Sequence, residues 1–168
     1  MPAAHELYFI RHGVAEEQGD EWSDDTKRPL SAQGMSRMRR NARGLANLGV
    51  TFDVVLTSPL VRTRQTAEIV AAAFDRRPPI VTAEALAPGA TYQGVLAELE
   101  KQARRTRIAL VGHDPSIGEL AARFAGSRHA FPFKKGAVCR VDIESLPPAG
   151  PGSLRWFLTP RILRSIER

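Results

Sequence analysis

Three short apolar runs limit what this chain can fold into more than any other feature. Leu7-Tyr8-Phe9-Ile10, Asp53-Val54-Val55-Leu56-Thr57 and Ile108-Ala109-Leu110-Val111 each end in small or polar residues. Near-continuous apolar runs of this length read as strands buried on both faces, as in parallel sheets covered by helices. Helical patterns lie between them. Ser31 has the chemistry of an N-cap, and Met35, Met38, Ala42, Leu45 and Ala46 recur at helical spacing until Gly49. Ser58-Pro59 reads as an N-cap and first helical position of a helix running to about Phe74. Thr91 to Arg104 predicts a third helix, and Pro115-Ser116 opens a fourth through Phe124. Ile80-Val81-Thr82 predicts a short strand; Ala137 to Ile143 and Leu154 to Leu158 alternate as two more, joined by the turn-rich Pro147 to Gly152. With no internal repeat, the pattern predicts one domain over residues 1–168. Its core spans about 7–158, and a short basic tail or last helical turn follows from Arg161.

Composition narrows the class of molecule. A chain of 168 residues that is 43% hydrophobic can bury a sizeable core without disulfides, and the single Cys139 cannot form an internal bridge. Collagen-like, coiled-coil and mainly disordered architectures are excluded. The start, Met1-Pro2-Ala3-Ala4-His5-Glu6, lacks the basic and apolar segments of a secretory signal. No apolar run approaches the ~18 residues of a membrane span. A soluble, cytoplasmic protein without membrane contacts is expected. The 24 Lys and Arg against 18 Asp and Glu give +6, mostly as arginine. Such a balance suits anionic partners: phosphate, acidic protein surfaces or nucleic acid.

The strand ends carry the chemistry. Arg11-His12-Gly13 sets an imidazole, a candidate nucleophile toward phosphorus, beside a guanidinium that neutralises an anion and a residue without Cβ. Alone, the tripeptide also fits an ordinary turn with a solvated Arg and His. In Ser58-Pro59-Leu60-Val61-Arg62-Thr63-Arg64-Gln65-Thr66-Ala67 a helix N-terminus offers unpaired N–H groups, with Arg62 and Thr66 sharing a face. An ordinary capped helix with a surface arginine fits as well. Gly112-His113 ends the third run. In a doubly wound sheet the ligand crevice lies at the carboxyl ends of the strands, where these three segments meet.

Together, in this order, the three segments resemble the histidine phosphatase superfamily, which includes phosphoglycerate mutases and acid phosphatases; the resemblance covers about Leu7 to Leu158. Chain length, Arg28-Pro29-Leu30-Ser31-x-x-Gly34 and Lys134-Lys135-Gly136-Ala137 are similar to the SixA-type phosphohistidine phosphatase branch. The resemblance implies a three-layer α/β/α sandwich with a mixed, mainly parallel sheet and no cap insertion. It implies a cofactor-independent, metal-free phosphatase in which His12 accepts the phosphoryl group and Arg11, Arg62 and His113 hold its oxygens. Arg28 and Ser58 are weaker candidates for binding phosphate or forming the rim. For the general acid, Glu84 precedes Leu86 where phosphoglycerate mutase-like enzymes carry their Glu after a Leu, whereas Asp114 follows the second histidine as in the acid phosphatases. Asp114 also fits a helix N-cap, and Glu16, Glu17, Asp20 and Glu21 read as a solvated acidic loop.

A phosphohistidine P–N bond releases imidazole without strong acid assistance, so a weak general acid suits a phosphorylated protein as substrate. A small phosphoester or pyrophosphate served by Asp114 is the alternative, and a non-catalytic phosphate-binding or docking module is a third reading. Nucleic acid is not expected, because Trp22, Trp156, Phe131 and Phe133 are not interleaved with basic residues and read as packing. A monomer or weak dimer is expected. His5 and His129 read as surface residues and Cys139 as a small core residue. Arg37, Arg39, Arg40 and Arg43 read as a solvated helix face, with partner docking as the alternative.

Overall fold

The computed structural model describes residues 3–167. Its strands are β1 (His5–Arg11), β2 (Val54–Thr57), β3 (Ile80–Thr82), β4 (Arg107–Gly112), β5 (Val138–Ile143) and β6 (Ser153–Leu158). The helices are α1 (Ala32–Asn47), α2 (Val61–Ala72), α3 (Tyr92–Glu100), α4 (Ser116–Phe124) and α5 (Pro160–Ser165). The strands form one sheet in the order β3-β2-β4-β1-β5-β6, in which β1, β2, β3 and β4 pair in parallel and β5 runs antiparallel to both β1 and β6. With helices on both faces, it is a three-layer α/β/α sandwich with a mixed, mainly parallel sheet.

Side chains alternate across the strands, and each apolar run divides between two cores. Leu7 and Phe9 of β1, Val54 and Leu56 of β2, and Ile108 and Leu110 of β4 pack with Val95 and Leu99 of α3 and with Ile117, Leu120 and Phe124 of α4. Tyr8 and Ile10, Val55, and Ala109 and Val111 face Met38, Ala42 and Leu45 of α1, Ala67 and Val70 of α2, and Leu163 of α5. Burial on both faces is why these strands read as unbroken apolar runs. Cys139 is buried in the first core.

Several boundaries differ from the sequence reading. β1 begins two residues early, at His5, which is buried rather than at the surface and bonds through its Nδ1 with the Arg105 carbonyl at 2.8 Å. Ser31 caps α1, its Oγ accepting from the Gly34 N–H. Ser58 does not cap α2: that helix starts at Val61 after Leu60, with no side-chain cap. Asp114 does not cap α4, which opens at Ser116 after Pro115. α3 stops at Glu100 and gives way to turns. The basic tail forms α5, capped by Thr159 and anchored by buried Leu163.

Register sets the level of the strand ends. Arg11 pairs with Gly112 across β1 and β4, and Thr57 with Val111 across β2 and β4. The ladder runs one residue further: the His12 N–H donates to the Gly112 carbonyl at 3.1 Å, and the Ser58 N–H to the Val111 carbonyl at 3.1 Å. His12, Ser58 and His113 therefore sit side by side.

Candidate active site

At these strand ends lies a pocket of about 220 Å³, lined by Arg11 at the end of β1 and His12 after it, Ala15, Arg28, Arg62 of α2, Pro88, His113 and Asp114 after β4, and Lys135. His12 lines it and is buried. Its Nδ1 lies 2.7 Å from the Gly13 carbonyl, which can only accept, so Nδ1 carries the proton and Nε2 keeps its lone pair. Burial pushes the imidazole pKa down to about 3, with His113, Arg62 and Arg11 adding to the shift against the bond to Gly13. At neutral pH His12 is an uncharged imidazole with a free Nε2.

Two contacts fix this geometry. Gly13 donates its N–H to Thr66 Oγ1 at 3.1 Å, and the Thr66 hydroxyl donates to the Arg62 carbonyl at 2.8 Å. The face shared by Arg62 and Thr66 thus ties α2 to the His12 turn. Gly13 also admits α1, because a Cβ there would meet Met38 Cγ at 2.5 Å. On the other side, Gly136 holds φ at +90° and donates its N–H to the Arg11 and His12 carbonyls, each at 3.1 Å.

His113 is buried, its ring centroid 5.3 Å from that of His12. Its Nε2 lies 2.8 Å from Ser58 Oγ, which already accepts the Leu60 N–H at 3.3 Å. The Ser58 hydroxyl has no other acceptor among the described residues, so it donates to Nε2, which leaves the proton of His113 on Nδ1. Burial, then Arg62, lowers the His113 pKa to about 4. Ser58 is fully buried and is not among the pocket-lining residues; the structure places it behind His113 rather than at the rim. Ser58→Ala is therefore expected to lower kcat/KM about tenfold, the worth of one buried hydrogen bond. The same change should shift the ¹⁵N resonances of His113 toward mixed tautomers, and an unchanged spectrum would contradict the assignment.

Arg62 is buried, and it donates from Nη1 to the Asp25 carbonyl at 2.9 Å and from Nη2 to Asp25 Oδ2 at 3.0 Å. Arg28 grips the same carboxylate, Nε to Oδ1 at 2.8 Å, and donates from Nη1 to the Glu16 carbonyl at 2.8 Å. The bond from Arg28 leads the effects that hold the Asp25 carboxyl at about 2. The acidic loop thus reaches the site through Asp25, which the sequence reading passed over; its only sequence signal is the i, i+3 spacing to Arg28. Arg11 donates from Nη1 to the Phe133 carbonyl at 2.7 Å. Asp114 is exposed at the pocket wall. Glu84 is exposed in the turn after β3 and does not line the pocket, to which that segment sends Pro88. Among the described residues, no three His, Cys, Asp or Glu side chains gather to hold a metal ion, and no helix is long and apolar enough to cross a membrane.

Three buried polar atoms have no partner among the described residues: Arg11 Nε, Arg62 Nε and His113 Nδ1. All belong to residues lining the pocket around His12. Residues 7–87, which carry Arg11, His12 and Arg62, match the family model of the histidine phosphatase superfamily (branch 1). The chain belongs to that superfamily. Its histidine phosphatase fold superimposes on the structure of the protein histidine phosphatase SixA complexed with tungstate with a TM-score of 0.83, at 25% identity over 94% of this chain and 99% of that one. The phosphohistidine phosphatase SixA of Escherichia coli K12 is 25% identical over 157 residues, covering 92% of this chain and 94% of that protein. An uncharacterized protein of a Picosynechococcus species is 41% identical over 137 residues, 79% of this chain and 82% of its own length. Within the superfamily, this histidine phosphatase falls in the SixA-type branch.

Proposed function

We propose that this protein hydrolyses phosphohistidine on a protein, in two steps through a phosphoryl group carried on His12. One observation carries the reading: three unpartnered buried nitrogens surround a neutral imidazole whose Nε2 is free. A buried donor left without a partner costs about 1–3 kcal/mol, and a phosphoryl group presents three oxygens that would relieve all three. In the first step His12 Nε2 attacks phosphorus as the substrate's P–N bond breaks, and the departing imidazole, protonated on its other nitrogen, leaves neutral. His12 becomes a phosphorylated imidazolium, its Nδ1–H still held by the Gly13 carbonyl. Water then attacks phosphorus, the Nε2–P bond breaks, and dihydrogen phosphate and neutral His12 result. Arg11, Arg62 and His113 stabilise charge in both steps, the principal demand of phosphoryl transfer.

Two features support phosphohistidine as the substrate. The only carboxylic acid lining the pocket is the exposed Asp114, and no group holds it in place by a hydrogen bond among the described residues. The connections near the pocket are also short: β2 passes to α2 through Ser58-Pro59-Leu60, and β3 to α3 through the turn at Glu84–Leu86 and the segment to Thr91. They leave the pocket open to a histidine on a large partner.

Asp114 also carries the second reading, a small phosphoester whose alkoxide leaving group it would protonate. Phosphohistidine and phosphoserine peptides of the same sequence separate the two, assayed with the wild type and Asp114→Asn. The expected result is faster phosphohistidine turnover, reduced less than about threefold by Asp114→Asn, because losing a working general acid costs roughly 10² or more. Faster phosphoserine turnover that collapses in Asp114→Asn would favour the phosphoester reading. Turnover of neither peptide would favour a docking module.

A further inference from the structure

Beside the pocket lies a second groove of about 300 Å³ between α1, the turn before β5, and α5. Five cationic side chains line it: Arg37 from α1, Lys134 and Lys135 from the turn, and Arg161 and Arg164 from α5; no carboxylate does. None of the five makes an ion pair among the described residues. Arg164 donates from Nη1 to Asn41 Oδ1 at 3.2 Å, and burial followed by the charges of Arg37 and Arg40 lowers its pKa from the ordinary guanidinium value. The rest of the α1 arginine face is different. Arg40 and Arg43 both bond to Glu167, with Arg40 Nε to Oε1 at 3.1 Å and Arg43 Nε to Oε2 at 2.6 Å. The four arginines of α1 are therefore not one uniform solvated face, and Arg37 belongs to a cluster of like charge that has no ion-pair partner among the described residues.

This groove and the pocket around His12 are neighbours. Lys135 lines both, and Gly13, which follows His12, lines the groove. We propose that the groove docks an acidic segment of the protein that carries the phosphohistidine, an inference that rests on the substrate reading above. Charge complementarity selects carboxylates, since arginines and lysines spread over three elements suit a chain of Asp and Glu side chains, with arginine able to grip each in a fork. Nucleic acid is a poorer fit, because no aromatic side chain lines the groove and bases have no surface on which to stack.

The test uses two peptides without a phosphoryl group, one Glu-rich and one with Ser in place of Glu, labelled and followed by fluorescence anisotropy. A single-stranded oligonucleotide of similar length serves as the third probe. At low salt the wild type should bind the Glu-rich peptide in preference to both, and added salt should weaken binding. The triple variant Arg37→Glu, Lys134→Glu, Arg161→Glu, with its fold checked by circular dichroism, should bind that peptide roughly tenfold more weakly, as expected for several partly screened ion pairs. In the turnover arm, the variant should raise KM for an acid-flanked phosphohistidine peptide and leave kcat on free phosphohistidine unchanged. Equal wild-type affinity for the two peptides, undiminished binding by the variant, or tighter binding of the oligonucleotide would overturn the proposal. Loss of Glu-rich peptide binding in the variant, with phosphohistidine peptides never hydrolysed, would overturn the substrate reading and leave the acidic docking groove standing.

Discussion

His12→Ala is expected to lower kcat at least about 10⁴-fold on every phosphorylated substrate, the scale on which removing a nucleophile acts. Arg11, Arg62 and His113 remain in that variant, so inorganic phosphate should still bind, within about tenfold of wild type, if these donors and not the nucleophile hold the anion as proposed. Rapid quenching into base after mixing with labelled substrate should trap an acid-labile, base-stable phosphoryl group on the wild type and none on the variant. Persistent turnover by His12→Ala would sink the assignment. The same variant has a stability signature with a definite sign. In the unfolded chain His12 takes up a proton near its ordinary 6.5, whereas in the folded protein it does so only near 3. Between those values the unfolded state binds more protons, so the wild type loses stability as pH falls through the window. His12→Ala should therefore show a shallower loss of denaturation midpoint from pH 6.5 toward 3.

The parts of this fold most legible in the sequence were those dictated by burial on both faces. β1, β2 and β4 announced themselves because every apolar side chain in them enters one of the two cores. Their polar ends were legible for the same reason, since chemistry begins where the apolar run stops. Ser58 was misread because Ser-Pro ahead of a helix has the pattern of a cap. Its hydroxyl instead engages His113 Nε2, across 55 residues of chain, and α2 starts at Val61 without a side-chain cap. Asp25 was missed because it sits in short 3₁₀ turns with no periodicity, and its partner Arg62 lies 37 residues away. The α1 arginines looked alike because helical spacing says which face a residue occupies and nothing about what α5 and Glu167 bring against that face.

Arg62→Lys should lower kcat/KM roughly 10³-fold, near the upper end of the effect of removing one charge-stabilising donor from a buried site. Lysine keeps the charge but not the fork. In the wild type Nη1 and Nη2 each give one N–H to Asp25, which aims the guanidinium and leaves Nε as its buried unpartnered nitrogen. An ammonium group cannot hold Asp25 twice and still present a separate N–H at a fixed angle. On the proposed mechanism Asp25 acts through Arg62, as a positioning residue. Asp25→Asn keeps the backbone carbonyl that accepts from Nη1 but loses the charge that pairs with both Arg62 and Arg28. The pocket then becomes more positive and less ordered. The expected outcome is about tenfold lower kcat with KM unchanged or reduced, because phosphate is still attracted while Arg62 is less well aimed. A double-mutant cycle makes the coupling measurable. If Asp25 works by orienting the guanidinium, Asp25→Asn should cost much less in the Arg62→Lys background than alone. Costs that simply multiply would mean that Asp25 contributes independently, and that Arg62 finds its orientation from α2 without it.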